Sequence, residues 1–318
     1  WLTALLSMLL MLAVYLLPSG SVSLIGAYSL LIAGSTLLNP LCISLSFYIE
    51  SWGCGINFSR ARALGSFAYA VCNVALGMLV QRVSENAVPA VFFVFAALLG
   101  AATLLFNPGD RAHRSMPEKK VEPNAEKPSS LREFARENKR FMLFLVGTAA
   151  LYFTHSMICN FMIEFIRNVG GSSEDMGWIL AFMTVMEVPI MLIFPKLTKR
   201  FKCSSLLRVA VIMFTVKELM IFLAPNIAAL YAAEALQAFS FALFVPASVG
   251  YVGEVIAKHN AVKGQAFVTA MMTLGSIFAS YIGGLLLDTA TPKITLLVGV
   301  IVSAVGTLIM LCSIETTK

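Results

Sequence analysis

Five ionisable side chains, His155, Glu187, Lys217, Glu218 and Glu234, stand inside apolar runs of this 318-residue chain. In a bilayer each costs on the order of 2.5 to 3.5 kcal/mol at a helix centre, so such groups pair, line wet cavities or carry protons and ions. Counted at ~1.5 Å per residue, His155 and Glu187 fall near mid-depth of their runs, with Tyr69 at a similar level. Lys217 and Glu234 both fall ~10 Å below one face, which predicts an ion pair between neighbouring spans. Glu218 points about 100° away from Lys217, so the two are not expected to face one cavity. Proton carriage fits this set. Burial favours a neutral carboxylic acid and a nearby cation favours the carboxylate, so a motion that alters either one loads or releases a proton. Glu187 is the first candidate, Glu234 the second, and His155 a further one. Structural readings stand beside these: an ion pair for Lys217 and Glu234, an interhelical hydrogen bond for His155, and ordinary packing for Tyr69.

The elements that position these groups are membrane spans. The chain is 58% hydrophobic and 13% charged, with a mean hydropathy of +0.84, too little polar surface for a water-soluble globule of this length. Ten apolar runs follow one another: Trp1–Leu17, Ser21–Ile49, Arg62–Val83, Val88–Phe106, Phe141–Ile166, Met176–Pro195, Ser205–Leu223, Ile227–Ile256, Gln265–Leu287 and Ile294–Ile314. Most reach the ~20 residues that cross a hydrocarbon core as helix. The first run is marginal and starts on Trp at full hydrophobicity, so a lost N-terminal segment is expected. It lacks the basic leader and cleavage site of a signal peptide.

One long polar stretch, residues 107–140, separates four runs from six. It holds 15 of the 40 charges and four prolines, a composition that does not bury enough apolar surface to fold alone. The expected organisation is a helical bundle over 1–106, a linker over 107–140 and a six-helix bundle over 141–318. Within the linker, Ser130-Leu131-Arg132-Glu133 has the spacing of a helix-capping box. With the linker on the cytoplasmic side, 19 basic residues lie inside and three (Arg82, Arg167, Lys293) outside, leaving Lys217 in a span. That bias orients both observed ends and the linker toward the cytoplasm of a cell membrane. It also accounts for the net charge of +6 without nucleic acid.

Other chemistries lack their residues. The six cysteines sit in or beside apolar runs with no CxxC spacing, so neither a disulfide framework nor a metal site is expected, and no cofactor either. There is no GxSxG or HExxH, which argues against an enzyme, and no ring or filter loop of a channel.

Internal echoes suggest repeated halves. Arg62 and Gly65-Ser66 open the third run as Lys263-Gly264-Gln265 opens the ninth, and Pro40 with Glu50 parallels Pro246 with Glu254. The run Asn57-Phe58-Ser59-Arg60-Ala61-Arg62-Ala63-Leu64-Gly65-Ser66-Phe67-Ala68-Tyr69-Ala70-Val71-Cys72 resembles the start of the fifth helix in lactose-permease-like members of the major facilitator superfamily. Met186-Glu187-Val188-Pro189, Phe214 to Lys217, Leu236-Gln237-Ala238-Phe239-Ser240-Phe241 and Lys263 through Gly283-Gly284 to Asp288 resemble its eighth to eleventh helices. The resemblance implies an all-α membrane fold of two bundles, the ten spans counting as helices three to twelve of twelve. It implies an oligosaccharide or nucleoside proton symporter working by alternating access, monomeric, with a small polar solute, protons and the lipid bilayer as partners.

Carried over by position, the resemblance makes Arg62 a solute-binding arginine and Tyr69 the aromatic on which a sugar ring stacks. Asn160, Glu187, Lys217 and Gln237 fall on further polar cavity positions. Arg62 also suits a positive-inside anchor at the membrane boundary. The pattern departs at Ser46, where the family has the arginine's acidic partner, and at Ser240, where it has a proton-carrying glutamate. His155 stands near a family aspartate, and Gln237 replaces a histidine. An exporter of the same fold and a non-transporting receptor remain the competing readings.

Overall fold

The computed structural model describes residues 2–18, 22–35, 58–84, 87–105, 130–257 and 260–315, with the backbone alone for 58–63 and 66. Residues 107–129 of the linker, Ser46 and the side chain of Arg62 thus lie outside the description. Among the described residues every regular element is helical. Six helical stretches there are long and apolar enough to cross a membrane.

The chain divides into two compact units. The first comprises residues 1–65 and 79–121. It contains α1 (Leu2–Leu16), α2 (Val22–Ser35), both ends of α3 (Phe58–Arg82) and α4 (Ala87–Leu105). Small residues let these helices approach: Ala4 is buried against Gly100, and Ser7 lies beside Gly34.

The second unit comprises residues 66–78 and 122–318 and holds the predicted site residues that the structure describes. Its helices are α5 (Leu131–Glu137), α6 (Lys139–Asn160), α7 (Met162–Asn168), α8 (Ser173–Leu197), α9 (Cys203–Leu223), α10 (Ile227–Glu234), α11 (Phe241–Val255), α12 (Ala261–Thr289) and α13 (Pro292–Ser313). Side chains finish the ends that backbone bonds leave open. Ser130 with Glu133 and Ser172 with Asp175 form capping boxes on α5 and α8, while Asn226 caps α10 and Thr291 caps α13 ahead of Pro292. The end of the linker is therefore folded. Phe134, the aromatic of a charged segment, is fully buried and stacks on Phe267 at 5.4 Å between ring centres.

α6 is the central helix, flanked by α12 and α13 and buried on most of its circumference. Glycines allow that closeness. A Cβ at Gly275 would lie 2.9 Å from the amide nitrogen of Phe153 and closer still to the carbonyl oxygen of Ala149. The outward faces carry Leu192, Ile277, Ile301 and Leu308, apolar groups suited to lipid.

Two apolar runs are interrupted where the sequence shows neither Gly nor Pro. Phe161 breaks the fifth run between α6 and α7. In the eighth, a 3₁₀ turn, Ala235–Ala238, separates α10 from α11. The close approach at Gly275 leads to a direct expectation. Gly275→Ala should destabilise the purified protein by about 1–3 kcal/mol through overpacking, read as a lower Tm in detergent. Gly253→Ala, with nothing within 4 Å of the added carbon, should leave Tm in place.

Candidate functional site

The apolar core of the second unit falls into clusters, and a polar layer lies between the two largest. One side holds Tyr152, Ile190, Phe214 and Ala238; the other holds Ile158, Met183, Ile221 and Leu230. His155, Glu187, Lys217 and the pair Glu234/Gln237 fall between these residues on α6, α8, α9 and the α10–α11 run. Each helix thus contributes one polar step between two apolar ones.

The 3₁₀ turn arranges the layer's centre. In a 3₁₀ helix side chains three apart eclipse one another, so Glu234 and Gln237 leave the backbone in one direction and both meet Lys217. The Lys217 Nζ lies 2.7 Å from Glu234 Oε2, with both side chains 1% exposed, so the predicted ion pair is present. Lys217 also donates to Gln237 Oε1 at 2.6 Å, and Gln237 Nε2 donates to Glu187 Oε1 at 2.9 Å. A continuous chain results, Glu234–Lys217–Gln237–Glu187, running from full burial to the half-buried carboxylate of Glu187. Gln237 suits its place because its amide accepts from the ammonium and donates to the carboxylate at once.

His155 stacks on Phe241 at 4.8 Å and meets Tyr152 and Phe214 edge-on, with Nε2 3.8 Å from Cys159 Sγ. It is held by aromatic walls beside the chain. Asn160, exposed at the end of α6, donates to Ser280 at 2.9 Å. Tyr69 is 53% exposed, and its backbone carbonyl accepts from Asn73. The structure therefore joins Glu187, Lys217, Glu234 and Gln237 directly and sets His155 alongside them. Asn160 makes a separate contact with α12, and Tyr69 stands outside the chain of bonds.

A further polar stripe, not marked by any ionisable residue, runs along α12. Gln265, Thr269, Thr273, Ser276 and Ser280 follow one another at steps of three or four, one face of a helix. Ser276 meets Ser156 of α6 at 2.6 Å, next to the Asn160–Ser280 bond. Each Thr or Ser of the stripe also bonds the carbonyl four residues back, which keeps it satisfied in an apolar setting. The spacing was a readable signal.

A sequence profile of the MFS_1 like family matches residues 1–298. The chain belongs to that family, within the major facilitator superfamily. Two curated relatives carry transporter names. The uncharacterized transporter YwbF of Bacillus subtilis (strain 168) is 22% identical over 249 residues, 77% of this chain and 59% of the relative. The maltose permease of Geobacillus stearothermophilus is 25% identical over 299 residues, 91% of this chain and 73% of the permease. Family and relatives point to a multi-pass membrane transporter rather than an enzyme.

Among the residues of this major facilitator protein, Lys217 has the clearest energetic signature. Lys217→Met strands Glu234 as a buried charge, a loss of about 3–5 kcal/mol. The double variant Lys217→Met with Glu234→Met removes both charges and should recover much of the Tm. Equal Tm values for the single and double variants would count against the pair.

Proposed function

We propose that this protein moves a small polar solute, of the sugar or nucleoside class, across the cytoplasmic membrane by proton-coupled alternating access. The observation that carries the reading is the buried chain Glu234–Lys217–Gln237–Glu187, because such groups are expensive in a membrane unless they bind or carry something. The maltose permease relative supports the solute class.

In this reading residues 1–106 and 141–318 form two bundles of four and six spans, helices three to twelve of a twelve-helix plan. The linker 107–140 and both observed ends face the cytoplasm, where 19 of the 23 basic residues lie. The protein works as a monomer. Arg62, Tyr69, Asn160, Glu187, Lys217 and Gln237 supply the solute's contacts, with Tyr69 as a stacking platform and Asn160 and Glu187 as hydrogen-bond partners. Glu187 exchanges its proton as the cavity changes face, and Glu234 and His155 adjust the charge around it. Rocking of one bundle against the other changes Glu187's access to water, and with it the stability of its charge.

Purified protein in vesicles with an imposed inward proton gradient tests the proposal. Saturable accumulation of one member of a sugar and nucleoside panel, collapsed by a protonophore, is expected. Outward movement alone would favour an exporter, and binding without flux a receptor. Glu187→Gln should bring the accumulation ratio down to about one while solute exchange persists. Undiminished accumulation would remove Glu187 from coupling.

A further inference from the structure

The polar layer contains a carboxylate that the chain of bonds does not reach. Glu218, next to Lys217 on α9, is 1% exposed, and neither of its oxygens has a hydrogen-bond partner. The adjacent ammonium is already engaged by Glu234 and Gln237. The layer thus holds three carboxylates: Glu234 on Lys217, Glu218 beside it on α9, and Glu187 beyond Gln237. Fully ionised, the layer would hold two uncompensated negative charges between apolar clusters, a costly state unless protons are taken up.

The ionisable groups acting on Glu218 are Lys217 on its own helix, Glu234 on α10 and Cys159 on α6, with His155 of α6 beyond Lys217. α13 contributes the hydroxyls of Ser303 and Thr307, which bond Thr215 one turn earlier on α9, and α11 contributes Phe244 against Phe214. Among the described residues Lys217 is the cation acting on Glu218, with Lys293 of α13 at a cavity about a turn away.

This cavity lies about one turn along α9 from Glu218, lined by its neighbours rather than by Glu218 itself. With a volume of about 150 Å³, it opens between the end of α7 and the start of α13, lined by Asn168, Ile221, Phe222, Leu230, Lys293 and Leu296 among others. That is room for a few waters with polar partners, each water filling ~30 Å³. Ile221 and Phe222 lie one turn beyond Glu218, and Leu230 one turn before Glu234, a rise of ~5.4 Å. Lys293 sits over the Phe222 ring at 5.9 Å.

We propose that Glu218 is the group through which protons reach the layer, taken from water in the α7–α13 cavity. A proton from that water adds to the Glu218 carboxylate to give the neutral acid. Its transfer to Glu234 regenerates the Glu218 carboxylate and weakens the hold of Glu234 on Lys217. Lys217 is then free to shift toward Gln237 and Glu187, where the solute is proposed to bind. The charge of the layer rises by one whichever carboxylate holds the proton. This inference rests on the proton-coupled reading: Glu218 loads the layer, and Lys217, moving toward Glu187, favours release of the Glu187 proton to the solute's cavity.

The test uses the whole protein in vesicles and counts protons taken up per solute with a trapped pH dye. Glu218→Gln, close in shape, should lower that ratio tenfold or more, and Glu218→Asp should restore part of it. A wild-type ratio in Glu218→Gln overturns the assignment. Should Glu218→Gln fail to fold, Leu296→Trp, which fills the cavity, should slow solute-driven proton uptake at least tenfold. An unchanged rate overturns the route. Wild-type protein that accumulates solute with no proton uptake instead overturns the coupling reading itself.

Discussion

An ammonium group buried between two apolar clusters sets the terms for the second unit. Lys217 is 1% exposed in a largely apolar span, and the partners that meet its charge at contact distance come from the neighbouring helix run. Glu234 and Gln237 meet it from one strand of backbone, and Gln237 extends the contact to Glu187 on α8. Three spans are thereby tied at one depth, with apolar packing a turn away on either side. Buried ion pairs of this kind contribute little net stability and are costly to break. Their presence here is better explained by placement of charge than by strength of fold.

The 3₁₀ turn is the backbone feature that aligns the layer's centre. An unbroken α-helix through 227–255 would set Gln237 about 60° round the axis from Glu234, still on one face but less closely aligned. The tighter turn eclipses them, and Ser240, with φ −93° and ψ −92°, restarts the helix as α11. Ser240 donates to the carbonyl of Leu236 at 2.9 Å, so the break costs no stranded hydroxyl. Mid-helix 3₁₀ segments often mark hinges, and this one sits where a change in charge at Glu234 would be felt first.

Much of the helical fold was legible. Apolar runs and their polar separators marked the helices of 141–315, and Ser130 with Glu133 announced a cap that the structure contains. The Lys217–Glu234 pair followed from depth counting alone, because a rise per residue and two run ends suffice to place a level. The breaks at Phe161 and at 235–238 were not legible, since no Gly or Pro marks them and tertiary packing chooses the geometry. Gln237 was found through resemblance, but its role as a bridge needed coordinates. The helical angle of Glu218 shows where its side chain leaves α9 and not which polar partners the neighbouring helices supply.

Glu187, at the half-buried end of this chain, is proposed to meet both solute and water. The most direct measurement is labelling of Glu187→Cys by a membrane-impermeant maleimide in vesicles, with the other cysteines replaced by serine. The thiol should react, and the transported solute should slow the reaction in a saturable way. A thiol that never reacts, or reacts equally fast with and without solute, would contradict that proposal.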